Sequence, residues 1–241
     1  LHLDREAEIN ASPVDLLVLP GLTNDARVWQ GVAERLGGVA NVKVADLTTR
    51  DTMAALADDV LAGAPPRFAI AGLSMGGYCA LEIVTRAPER VGALALVDTS
   101  ARPDTPEGRA AREGQIARAP AALEAIVDEL LPKWVHPSRL ADPAVADVVR
   151  EMARDRGPAA FIRQQRAIMS RADSRPRLAA IRCPTAVICG RQDALLPLEI
   201  HEEMARGIPG AALEVIEDCG HLAPLERPAE VAAALRRLLG K

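Results

Sequence analysis

A serine set among small residues is the first feature of this chain that could do chemistry. The stretch Ala71-Gly72-Leu73-Ser74-Met75-Gly76-Gly77 joins an apolar run at 67–71 to an apolar-periodic stretch beginning near Met75. That is the strand, turn, helix order required by a G-x-S-x-G turn, which is so tight that only glycines clear the backbone. Such a turn exposes the serine hydroxyl. If Ser74 attacks a carbonyl, the N–H of Met75 at the helix start faces the oxyanion that forms, and the helix dipole adds partial positive charge. A serine hydroxyl is a poor nucleophile near neutral pH, so the chain must also supply a base and a carboxylate that holds the base in the right tautomer.

Of the four histidines, His2 is terminal, His136 precedes a proline, and His201 falls inside a predicted surface helix. His221 alone follows a predicted strand, in the loop Asp218-Cys219-Gly220-His221-Leu222-Ala223-Pro224, and is the expected base. The acid should end a strand between serine and histidine. Gly190-Arg191-Gln192-Asp193 does so, with Asp193 beyond the strand's carboxyl end, where α/β sheets gather their ligands. Asp98, in Val97-Asp98-Thr99-Ser100, is the rival, although a turn or helix-capping role suits it better.

The elements that must position these groups can be read from hydrophobic pattern. The run 14–19 is near-continuous and apolar, as expected of a strand buried on both faces of a parallel sheet, and 41–47, 91–97, 185–190 and 212–216, with the segment entering the serine turn, read as further strands. Between them lie helical patterns at 29–36, 52–61, from 75 to about 87, 197–206 and 229–239, with Asp51 the expected N-cap of the second. Strand and helix alternating in this way predict a doubly wound, mostly parallel α/β sheet. From about 99 to 182 the alternation stops and four helical patterns follow, at 106–117, 121–131, 143–156 and 158–170. We read this segment as a helical cap inserted into a core made of 1–98 and 183–241.

At 241 residues the chain suits one large α/β domain, and its 49% hydrophobic but only 2% aromatic content predicts an aliphatic core. A net charge of −4 with both signs dispersed offers no basic stripe for nucleic acid, so a small-molecule partner is expected. No apolar run reaches signal-peptide or membrane-span length, which predicts a cytoplasmic protein that does not engage membranes. Cys79, Cys183, Cys189 and Cys219 lack paired metal spacing and read as reduced, buried thiols. No metal site is expected. Leu22, Trp29, Met75, Leu195 and Leu222 adjoin the motifs, and Trp134, Phe161, Ile168 and Met169 lie on the cap helices; from these we expect Trp29, Trp134, Leu195 and Leu222 to touch substrate. Arginines of the cap could meet a carboxylate or phosphate, although on alanine-rich helices they usually form a solvated face.

With the three motifs Gly72-Leu73-Ser74-Met75-Gly76, Gly190-Arg191-Gln192-Asp193 and Gly220-His221 in this order, the chain resembles α/β-hydrolase-fold proteins over 16–239. Within that fold it is most similar to small capped bacterial carboxylesterases of the pimeloyl-carrier-protein methyl esterase and enol-lactonase type. The resemblance implies a serine hydrolase acting on a carboxylic ester or lactone without a cofactor. It also implies a second oxyanion donor, the N–H of Leu22 after the first long strand. Pro20 stands where many relatives have histidine, which changes the loop's anchoring and leaves the donor intact. Many relatives open with an antiparallel hairpin, which is expected to be shortened here. A cofactor-free perhydrolase of the haloperoxidase type keeps the same three residues and is the nearest enzymatic alternative. A ligand receptor or signalling module that retains them is the alternative from another class. Dehalogenase and epoxide hydrolase chemistry is disfavoured, because those relatives need aspartate in place of Ser74.

Overall fold

A computed structural model describes residues 12–241. Six strands, β1 (Val14–Leu19), β2 (Ala40–Val44), β3 (Phe68–Leu73), β4 (Val91–Val97), β5 (Thr185–Gly190) and β6 (Ala212–Ile216), form one sheet in the order β2-β1-β3-β4-β5-β6, and every pairing is parallel. The chain steps outward from β1 to β2, returns to β3 on the other side of β1, and then adds strands in one direction only. The strand order therefore reverses between β1 and β3, the place where open parallel sheets gather ligands at their carboxyl ends.

The alternation of side chains divides the core in two. Leu16, Val18, Ala69, Ala71, Leu73, Ala95, Val97 and Ile188 face one layer, which also receives Val28, Trp29 and Val32 of α1 (Arg27–Arg35) and Val231 and Leu235 of α8 (Pro228–Leu238). Their neighbours Leu17, Leu19, Phe68, Ile70, Leu94, Leu96 and Val187 face the other, covered by α2 (Met53–Gly63), α3 (Met75–Arg86) and Met204 of α6 (Leu198–Gly207). Burial of both faces explains why the inner strands β3, β4 and β5 read as continuous apolar runs, whereas the edge strands β2 and β6 keep exposed positions. The short helix α7 (Ala223–Glu226) follows β6.

Between β4 and β5 the chain forms two long helices, α4 (Pro106–Trp134) and α5 (Pro143–Met169), packed on each other. Each is broken once. Ala122 leaves helical dihedrals two residues after Pro120, and Gly157, at φ +72°, interrupts α5 just before Pro158. These breaks fall at or beside the boundaries that the sequence pattern predicts, because proline and glycine end helices for local reasons.

Two expectations are corrected. The cap of α2 is Thr52, whose side chain accepts from the Ala55 N–H, and not Asp51, because the helix starts at Met53. His201 lies in α6 but is fully buried, since that helix turns it toward the sheet rather than to solvent. The expected N-terminal hairpin falls largely outside the described residues. Among the described residues no helix is long and apolar enough to cross a membrane.

Candidate active site

The elbow forms because two glycines let three backbones meet. A Cβ on Gly72 would collide with the carbonyl of Gly76, and a Cβ on Gly76 with the carbonyl of Leu19 in β1. The turn leaves Ser74 at φ +51° and ψ −111°, a left-handed conformation that a residue with a side chain rarely adopts. It is pinned from both sides: the Ser74 N–H donates to the Val97 carbonyl (2.9 Å) and the Thr99 hydroxyl donates to the Ser74 carbonyl (2.7 Å).

From this turn the Ser74 Oγ lies 2.8 Å from His221 Nε2, and His221 Nδ1 lies 2.6 Å from Asp193 Oδ2. With the carboxylate at Nδ1, that nitrogen carries the proton, and Nε2 is free to accept from the serine hydroxyl. The Asp193 carboxylate is fixed in turn, Oδ1 accepting from the N–H groups of Leu195 and Leu196 at 2.8 and 2.9 Å. Burial opposes ionisation of Asp193, but the imidazole beside it and these two amides outweigh burial and hold its pKa below the ordinary value. For His221 burial likewise opposes the charged form, and Asp193, helped by the more distant Asp98 and Glu226, overrides it and raises the pKa above 6.5.

The amide hydrogens of Leu22 and Met75 have no hydrogen-bond partner among the described residues. Gly21 brings the first of these loops against the serine: a Cβ built on it would lie 3.5 Å from Ser74 Cβ. Thr23, two residues after Gly21, also has left-handed backbone, and its N–H donates to Gln164 Oε1 of α5 at 2.9 Å, which ties this loop to the inserted helices.

A cavity of about 190 Å³ opens over Ser74, lined by Leu22, Tyr78, Trp134, Ile168 and Leu195 together with polar residues of α4 and α5. Trp134 and Leu195, two of the residues expected to touch substrate, line this cavity. Trp29 and Leu222 do not line it. Trp29 belongs to the buried face of α1, its indole N–H directed at the Leu19 carbonyl at 3.4 Å, and Leu222 is turned into the core beneath the His221 loop. Phe161 is also core.

The part that two further acids play in this geometry escaped the sequence reading. Asp98, weighed in the sequence as the rival acid with a turn or capping role, is fully buried, and one of its two partners is the first N–H of α7. Its Oδ1 accepts from the Gly190 N–H and its Oδ2 from the Ala223 N–H, both at 2.9 Å, so it ties the end of β5 to the loop that carries His221. Burial and then the charge of Asp193 push its carboxyl well above the ordinary pKa. Glu226 Oε1 accepts from the N–H groups of Gly220 (3.1 Å) and Leu222 (3.2 Å) on either side of His221, and its Oε2 accepts from the His136 N–H (2.8 Å). Asp98, Asp193 and His201 offer three buried potential metal ligands within 4.8 Å of one another. The oxygens of both carboxylates already accept hydrogen bonds from four amides and from His221, so a cation there would have to displace them. The four cysteines are free thiols; Cys79, Cys189 and Cys219 are buried, and burial raises the pKa of each, that of Cys189 to about 12.

The same arrangement can be compared with known proteins. Over 240 residues the chain is 26% identical to the pimeloyl-[acyl-carrier protein] methyl ester esterase of Aromatoleum aromaticum, covering 92% of this chain and 96% of that one. Its structure superposes on a thermophilic esterase from Thermogutta terrifontis with a TM-score of 0.87 at 31% identity, over 96% of this chain and 91% of the other. An enol-lactonase from Burkholderia xenovorans gives 0.86 at 25% identity, over 96% and 93%. The alpha/beta hydrolase family model matches residues 16–234, nearly the whole described sheet with its inserted helices, and the chain belongs to that family.

Proposed function

We propose that the protein is a serine hydrolase that cleaves a carboxylic ester or lactone through an acyl-enzyme. The observation that carries this reading is the unbroken line from the Ser74 hydroxyl through His221 to Asp193, at 2.8 and 2.6 Å. Ser74 Oγ attacks the substrate carbonyl as His221 Nε2 takes its proton. Asp193 holds the imidazole in place and stabilises the imidazolium. The unpaired N–H groups of Leu22 and Met75 receive the oxyanion, Met75 with the positive end of α3 behind it. The imidazolium then returns its proton to the leaving alkoxide. Water, deprotonated by the same nitrogen, adds to the acyl-enzyme and releases the acid, and Ser74 regains its hydrogen. The inserted segment 99–182 acts as a cap on the core, closing the acyl pocket with α4 and α5.

Steady-state hydrolysis of short p-nitrophenyl esters tests the proposal. The parent protein should turn them over, and Ser74→Ala should lose at least about 10³-fold in kcat. An alanine variant as fast as the parent would contradict it.

A further inference from the structure

The cavity over Ser74 is lined by apolar side chains and by two cations. Arg112 and Lys133 both line it, and no acidic residue does. The carboxylate that pairs with Arg112, Asp104, is shared: Arg112 Nε reaches it at 2.9 Å and Arg171 Nη2 at 3.0 Å. One carboxylate between two guanidinium groups leaves a surplus positive charge, and Lys133, which has no ion-pair partner among the described residues, adds a second. Arg112 Nη2 also makes no hydrogen bond among the described residues.

The neutral groups beside these cations are polarised the same way. Arginine only donates, so the Gln165 atom that receives Arg112 Nη1 at 2.6 Å must be its Oε1. The Gln165 amide nitrogen therefore faces Gln115, at 2.7 Å, and the atom it meets must be the Gln115 oxygen. This leaves the NH₂ of Gln115 as the free end of the chain, in the cavity wall. Arg112 Nη2, Lys133 and the Gln115 NH₂ thus present donors to the cavity. An apolar acyl tail would offer these donors no acceptor, whereas an anionic tail supplies one with complementary charge.

We propose that the acyl group taken by this cavity ends in an anion, a carboxylate or a phosphate-type group, held by Arg112, Lys133 and the Gln115 amide. This rests on the ester or lactone hydrolase reading and narrows its substrate class. Binding tests it apart from turnover. In the Ser74→Ala background, calorimetry would compare monomethyl adipate with methyl adipamate, which replaces the carboxylate by a primary amide, and with the corresponding ω-phosphonate methyl ester.

At least one anionic ligand should bind about tenfold or more tightly than the amide, and the tighter of the two identifies the group. Lys133→Glu, at an exposed position, should cut that ratio about threefold or more, as should Arg112→Gln. Equal affinities for all three ligands, no binding of any, or a ratio unchanged in both variants would overturn the proposal. Failure of the parent to hydrolyse these methyl esters while the anionic preference persists would count against the hydrolase reading alone.

Discussion

Among the described residues four other than glycine hold left-handed backbone, Thr23, Ser74, Asp98 and Asp218, and each follows the carboxyl end of a strand. Strain of this kind costs about 1–3 kcal/mol per residue and persists where the surroundings fix it, as the Val97 and Thr99 hydrogen bonds fix Ser74. The two candidate acids separate at this scale. Asp193→Asn should lower kcat by about 10⁴-fold with little change in the urea midpoint, because it withdraws the charge opposite the imidazole. Asp98→Ala should instead lose about 2–4 kcal/mol of stability, because it leaves the Gly190 and Ala223 amides buried without an acceptor. Urea titration together with initial rates checks both. Since His221 must be neutral to act as base and its pKa lies above 6.5, the acid limb of the kcat/KM profile should fall at a pH above 6.5. A limb at or below that value would contradict the ion pairing described. Ser74, His221 and Asp193 were legible in the sequence because each sits in a short motif beyond a strand. The roles of Asp98 and Glu226 were not, because their partners are backbone amides of segments remote in the chain or in loops whose shape no residue pattern reveals.

Among the elements, the elbow depends on the approach of α3 to β1. Gly76→Ala should therefore destabilise the fold by about 2 kcal/mol or more, beyond any helix-propensity gain, because its Cβ has only the Leu19 carbonyl to displace. Denaturation midpoints would show this, and an unchanged midpoint would mean that the two backbones can separate freely. The strands β4 and β5 have the bounds that the apolar runs predict, since burial on both faces leaves no ambiguity of period. Helix ends shift by a residue or two, as at Thr52, where two adjacent residues could each cap and only the backbone decides. Trp29 was misplaced for a related reason. Proximity to a motif in sequence does not say which face of a helix a side chain takes, and α1 turns this one inward.

Across the whole molecule, the reversal of strand order between β1 and β3 sets the Leu22 loop beside Ser74, and the strands added after β3 bring Asp193 and His221 to the same end of the sheet. The doubly wound plan was readable from the alternation of strand and helix, whereas the cationic wall of the cavity was not, because it depends on how α4 and α5 pack. His201 links this architecture to pH. It is buried with neither ring nitrogen hydrogen-bonded among the described residues, and burial lowers its pKa from 6.5 to about 4. The unfolded chain therefore binds more protons in that window, so this group removes stability as pH falls from about 6.5 to about 4, on the order of 3 kcal/mol in all. His221 acts in the opposite sense: its raised pKa adds stability below 6.5 that is lost as pH rises through the folded value. Urea midpoints at several pH values should show a flatter acid side in His201→Leu than in the parent. The central claim, a serine activated by the imidazole beside it, is tested most directly by reaction with a fluorophosphonate followed by peptide mapping. The account predicts one phosphonyl group per chain, on Ser74, formed rapidly in the parent and slowed by several orders of magnitude in His221→Asn. Labelling at another residue, or at Ser74 with equal speed in both proteins, would contradict it.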